Sequence, residues 1–195
     1  MTFDEVFQHF TESGALLSGH FILTSGLRSP QYLQCARVLM HPVRAGALGR
    51  ALGDEIQARL GAGVVDAVIA PAMGGIVIGH EVARRLVVPS MFAERVEGRF
   101  QLRRGFVLEK GAQVVIVEDV VTTGKSSREC ADCVRENGGT VVAYAAIMDR
   151  TTEKIDFGAP FISLAAIKIP TYAPDELPPE LAAIPPVKPG SRGLT

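Results

Sequence analysis

The run Val114 to Ser126, VVIVEDVVTTGKS, constrains this chain more than any other stretch. It opens with four apolar residues, three of them valine. That is the composition of a strand buried on both faces of a parallel sheet. Two carboxylates, Glu118 and Asp119, follow at the end of the apolar run. Thr122, Thr123, Gly124, Lys125 and Ser126 then turn the chain, and Ser127 to Asn137 reads as a helix. Small hydroxylated residues and a glycine let backbone N–H groups close around a phosphate at a helix N-terminus. Carboxylates just before such a loop can accept hydrogen bonds from the vicinal hydroxyls of a ribose. Gly-Lys-Ser suggests a P-loop, but that motif needs a glycine five positions before Gly124, where this chain has Asp119. An ordinary strand, polar turn and helix would not require paired acids followed by Thr-Thr-Gly-Lys-Ser.

The rest of the chain alternates around this unit. Thr2 to Glu5 has the form of a capping box, and Phe3, Val6, Phe7 and Phe10 recur at helical spacing up to Gly14. His20 to Leu23 and Gln31 to Leu39 read as strands joined by a turn-rich loop. As they precede the main alternation, they are expected to cover one end of the sheet. His41-Pro42 opens a helix to about Leu60, with Ala47, Leu48, Ala51, Leu52 and Ile56 on its buried side. Val64 to Ala70 reads as a strand, Pro71 to Gly75 as a tight loop, and Ile76 to Leu86 as a helix. The loop glycines would let a ligand approach the main chain. No G-x-G-x-x-G follows a strand, so a dinucleotide fold has no support. Strand character is expected at Ser90 to Glu94, Gly105 to Glu109, Thr140 to Met148 and Phe161 to Ile167. The proline-rich tail from Ile169 should be extended, wrapping the surface or partly disordered. The fold class is therefore α/β, a parallel sheet flanked by helices. It forms a single domain over 1–195, with a small N-terminal helix and hairpin hood (1–40) and an extended tail (169–195). Ligands bind at the carboxyl ends of strands in such sheets.

Composition narrows the function classes. With 195 residues, the chain can bury a full core. A formal net charge of -1 gives no reason to expect nucleic acid as a partner. No apolar run suits a membrane span, and Met1 to Glu5 lacks a basic leader region, so a cytoplasmic protein is expected. Cys130 and Cys133 form a C-x-x-C inside the helix after the central loop, and only Cys35 remains to complete a zinc site. They read as small helix residues, at least one facing the core.

The central run, two acids, two apolar residues and Thr-x-Gly-x-Ser, closely resembles the signature with which type I phosphoribosyltransferases bind phosphoribosyl pyrophosphate (PRPP). Other segments are similar to the orotate-using members of that family. They are the Phe21-to-Ser29 loop, Pro71 to Ile76, Phe92 to Phe106 with its Leu-Arg-Arg-Gly-Phe, and Asp149-Arg150. The ending Val187 to Arg192 resembles a Thermus-type branch. The resemblance implies that Glu118, Asp119, Val120, Val121, Thr122, Thr123, Gly124, Lys125 and Ser126 bind PRPP. Glu118 and Asp119 would hold the ribose hydroxyls, and Thr122 to Ser126 the 5′-phosphate. Met73, Gly74 and Gly75 would offer backbone to the pyrophosphate. Thr122 and Arg150 would contact orotate; read locally, Arg150 could simply pair with Asp149. Arg95, Arg99, Arg103 and Arg104 would form a lid, with Arg95 and Arg99 catalytic beside Glu118 and Asp119. On pattern alone the lid segment also reads as a solvated hairpin. The resemblance further implies Mg²⁺ held mainly by PRPP, with no direct protein ligand, and a homodimer with shared sites. Many orotate-using members carry lysine where this chain has Thr24 and Gly74; Arg95 stands at a loop-lysine position, Glu94 at an arginine position, and the loop has no histidine. Transfer to another base, such as a purine, and an RNA-binding regulator built on the same fold remain as alternatives.

Overall fold

The computed structural model describes residues 1–23 and 26–189. Thr24 and Ser25 of the early loop, and the Gly190-Ser-Arg192 end of the tail motif, lie outside the described residues. Helix α1 (Phe3–Glu12) starts at Thr2, whose side chain and that of Glu5 form the expected capping box. Its buried side is Val6 and Phe10, while Phe3 and Phe7 stack on each other nearer the surface. Strands β1 (Leu16–Ile22) and β2 (Arg28–Leu33) pair antiparallel as a separate two-stranded sheet.

The second expected strand ends early. From Cys35 to Leu39 the chain forms a short helix, α2. Cys35, Val38 and Leu39 are its buried residues, at helical rather than alternating spacing. Helix α3 (Pro42–Leu60) follows, with Pro42 in its first turn as the sequence suggests.

The main sheet has six strands in the order β5-β4-β3-β6-β7-β8. These are β3 (Ala67–Pro71), β4 (Ser90–Val96), β5 (Arg99–Leu102), β6 (Gln113–Val121), β7 (Thr140–Asp149) and β8 (Phe161–Ala166). All neighbours run parallel except β4 and β5, which form a hairpin. The segment 105–109, expected to be a strand, is irregular. Both edges of β4 are already taken, by β3 and β5, so the segment does not pair with β4. Phe106 instead packs edge-on against Phe92, and Leu108 is buried.

Helix α4 (Gly75–Leu86) packs with α1, α2 and α3 on one face, and α5 (Lys125–Glu136) packs on the other. The central strand shows why its sequence is a continuous apolar run. Val115 and Val117 enter the first layer, while Val114 and Ile116 enter the second beside Cys130, Ala131, Cys133 and Val134 of α5. Both C-x-x-C thiols are thus core residues, consistent with the reading from sequence.

A glycine contact that the apolar pattern did not reveal sets the α3–α4 distance. A Cβ on Gly49 would sit 2.3 Å from the Glu81 Cβ, and one on Gly53 would sit 2.6 Å from Arg85 Cγ. Since 49 faces 81 and 53 faces 85, the helices run in the same direction. Overpacking costs about 1–3 kcal/mol. Alanine's better helix propensity returns up to about 1 kcal/mol. Gly49→Ala is therefore expected to lose about 1–2 kcal/mol, read from the urea midpoint. An unchanged midpoint would mean that the helices part without strain.

Candidate active site

The topology fixes where a site can form. The chain moves outward from β3 to β4, then returns to place β6 on the other side of β3. The crevice at the carboxyl ends of β3 and β6 is therefore the switch point of the sheet. Two loops meet there, 72–74 after β3 and 122–124 after β6.

Glu118 and Asp119 lie within β6, not beyond it. Alternation along the strand turns them to opposite faces. Glu118 faces α5, where its carboxyl accepts a hydrogen bond from the Ser127 hydroxyl. Burial raises its pKa to about 7, against the lowering effect of that bond. Asp119 faces the α4 side. Burial pushes its pKa up as well, while the Val120 N–H, donating to Oδ1 at 2.9 Å, and the buried Cys35 thiol act in the opposite sense. A Cβ on Gly74 would lie 2.7 Å from Asp119 Oδ2, so the carboxylate fills the space above that loop. The peptide between Ala72 and Met73 is cis, and Met73 is exposed.

The loop 122–124 leads straight into α5. Gly124 has φ +68 and caps α5; a Cβ there would also strike the Phe157 ring at 2.7 Å. Only glycine satisfies both demands. The Arg128 N–H donates to Gly124 at 3.0 Å, closing the first turn of α5. N–H groups before it lack helical acceptors, with the positive end of the helix dipole behind them. Thr122, Thr123 and Lys125 are exposed at this end.

Arg150 follows β7, its N–H bonded to the Val121 carbonyl at 2.8 Å. It does not pair with Asp149, whose Oδ1 accepts the Thr151 N–H at 2.8 Å. Its Nε is buried without a partner. Burial lowers its pKa, an effect that Tyr32 and Cys35 oppose. Arg150 lines a cavity of about 500 Å³ with Tyr32, Thr122, Thr123 and Lys125. Ile22, Leu33 and Val120 add apolar wall.

The four arginines of the expected lid do not line this cavity. Arg95 pairs with Glu129 of α5 and covers the Phe100 ring at 4.1 Å. Arg99 pairs with Glu136 at 2.6 Å, and Arg104 with Glu94 at 2.8 Å. Arg103 lies exposed beyond β5. Sequence reasoning missed Tyr32, Cys35, Ser127 and Lys188 as neighbours of the site. Ser127 adjoins the signature and Lys188 lies in the Val187 to Arg192 ending that resembles a family branch; nothing local marks Tyr32 or Cys35.

A mostly parallel sheet with an acidic strand end, a glycine-capped loop into α5 and a separate hairpin is the fold of a type I phosphoribosyltransferase. The chain belongs to that family: the sequence model of the phosphoribosyl transferase domain matches residues 36–169. Within it, the chain belongs with the orotate phosphoribosyltransferases, which are transferases. It is 54% identical to the orotate phosphoribosyltransferase of Rhizorhabdus wittichii, covering 98% of this chain and 97% of that one. It is 53% identical to that of Caulobacter vibrioides, covering 100% and 99%. The crystal structure of orotate phosphoribosyltransferase from Aeropyrum pernix is similar with a TM-score of 0.66 and 29% identity, over 82% of this chain and 92% of that one.

Proposed function

We propose that the protein transfers the phosphoribosyl group of PRPP to a ring nitrogen of orotate, giving orotidine 5′-monophosphate and pyrophosphate in pyrimidine biosynthesis. The observation that carries this reading is Arg150, a partly buried guanidinium with an unpartnered Nε, in a cavity continuous with the phosphate loop. Orotate is a flat ring bearing a carboxylate, and arginine pairs with carboxylates through a planar fork. The names of the full-length relatives favour the same base over a purine.

Thr122 to Ser126 hold the 5′-phosphate at the start of α5. Asp119, over Gly74 in the crevice, accepts the ribose hydroxyls. Glu118 supports it from the other face by fixing the first turn of α5 through Ser127. Loss of pyrophosphate builds positive charge on the ribose ring, as in glycoside cleavage. A carboxylate next to that ring stabilises it. The backbone at Met73, Gly74 and Gly75 receives the pyrophosphate. Among the described residues no cluster of three or more His, Cys, Asp or Glu could hold a metal. Glu118 and Asp119 face opposite sides of β6, so a hard cation here would take its ligands mainly from phosphate and water rather than from this pair. Mg²⁺ carried by PRPP would neutralise the leaving group. Orotate is already an anion, so no strong general base is required of the chain.

A homodimer with shared sites is part of the same proposal. Met40, Val43, Met73 and Val77 are exposed at the starting ends of α3 and α4. An apolar group beside a site suits a partner surface. Three of the four lid arginines, Arg95, Arg99 and Arg104, form ion pairs at the surface, worth about 0–1 kcal/mol each. They can be surrendered for a neighbour's pyrophosphate at little loss. No described helix is long and apolar enough to cross a membrane. The three cysteines are free thiols, which suits the cytoplasm.

Incubation with Mg²⁺, PRPP and a panel of bases, followed by pyrophosphate release, tests the reading; release with a purine but not orotate would sink it. Arg150→Ala is expected to weaken orotate by about 1.5–3 kcal/mol, while KM for PRPP changes little. Equal loss for both substrates would remove Arg150 from base recognition.

A further inference from the structure

A side chain from the far end of the chain reaches the substrate cavity. Lys188 lines it together with Arg150, Lys125, Thr122 and Tyr32. The charged residues among its described lining are Lys125, Arg150 and Lys188, all cations. No carboxylate in that lining offsets them, and Arg150 Nε stays buried without a partner. A concave surface of one charge sign, with an unpaired guanidinium nitrogen, takes an anion.

The tail is held where it delivers this lysine. Val187 donates its N–H to the His20 carbonyl at 2.8 Å and accepts the Ile22 N–H at 2.8 Å. It forms a parallel bridge with Phe21 of β1. Upstream, the His20 ring Nδ1 lies 2.8 Å from the Ile184 carbonyl, and Leu181 of the short helix α6 (Pro179–Ala182) is buried. Pro185, Pro186 and Pro189 flank the bridge and restrict the backbone on both sides. Lys188 therefore stands on a fixed backbone, exposed, with no ion pair among the described residues.

We propose that Lys188 is a substrate-binding residue whose ammonium pairs with the carboxylate of the pyrimidine base, sharing that anion with Arg150. The inference rests on the orotate reading and adds to it the residue by which the tail selects a carboxylated base. The apolar wall of Ile22 and Leu33 beside Tyr32 suits a flat ring better than a phosphate. The rival anion is a phosphate of PRPP, and the kinetics separate the two.

The test uses the full chain with Mg²⁺, PRPP and orotate. Lys188→Met keeps the length of the side chain and removes its charge. Lys188 is exposed, so the thermal midpoint should not move. KM for orotate is expected to rise about 10-fold, with KM for PRPP and kcat nearly unchanged, and Lys188→Arg should recover most of the loss. A rise below about fivefold, a rise shared equally by PRPP, or one that arginine does not relieve, overturns the role of Lys188 while wild-type turnover stands. No orotate turnover by the wild type overturns both this inference and the reading beneath it.

Discussion

Asp119→Asn is expected to lower kcat/KM for PRPP by about 10²–10³-fold while leaving the thermal midpoint unchanged or raised. The two halves of this result have one cause. Burial holds the Asp119 pKa above its ordinary value, so the folded protein carries that charge unwillingly. A group with a raised folded pKa favours the fold below its unfolded pKa and loses that contribution as pH rises through the folded value. Above the unfolded pKa, burying that carboxylate therefore burdens the fold, and asparagine removes the burden. The amide keeps an oxygen for the Val120 N–H, so the local hydrogen bond survives. What it cannot supply is negative charge beside a sugar ring that becomes positive as pyrophosphate departs. Steady-state kinetics beside a melting curve decides the matter. Normal kcat/KM with PRPP would make Asp119 a structural residue only.

Mixing two inactive proteins should restore activity. One is Asp119→Asn; the other replaces Arg95, Arg99, Arg103 and Arg104 with alanine. In a shared-site dimer, one site of each heterodimer combines an intact hairpin with an intact acidic strand. Random exchange of equal amounts then gives about a quarter of the wild-type sites. The four arginines lie outside the cavity of their own chain, and three are tied in ion pairs on its surface. That arrangement motivates a role toward a neighbour rather than toward the chain's own substrate. If exchange is demonstrated and the mixture stays dead, the hairpin serves its own site or none.

The sheet was legible because its strands are covered on both faces. Val114 to Val117, Ala67 to Ala70 and Ala143 to Met148 are continuous apolar runs, and Pro42 opens α3 where the sequence suggests. The errors came where tertiary context overrides a short pattern. Cys35 to Leu39 has too few residues to separate a short helix from a strand, and burial against α3 decides it. Gly105 to Glu109 has strand composition, but β4, against which Phe106 packs, already has a neighbour on each edge. In the candidate site, the residues of the 118–126 run could be read together because they are consecutive. Tyr32, Cys35 and Lys188 could not, since each arrives from another part of the chain. Nothing near Cys35 in sequence says that its thiol meets Asp119.

The proline-rich tail has a further consequence for the hood. A lone two-stranded hairpin is marginal in water and offers two bare edges for pairing. Here Tyr172 exchanges backbone hydrogen bonds with Arg28 on the outer side of β2, both at 2.9 Å, and Val187 bridges the outer side of β1. One segment of chain thus closes both margins, each with a contact too short to recruit another strand. Pro170, Pro174, Pro185, Pro186 and Pro189, which lack backbone donors, interrupt any extension of that pairing. The tail works as a selvedge: it finishes the sheet that carries Tyr32 and keeps it from being sewn to the hairpin of another molecule.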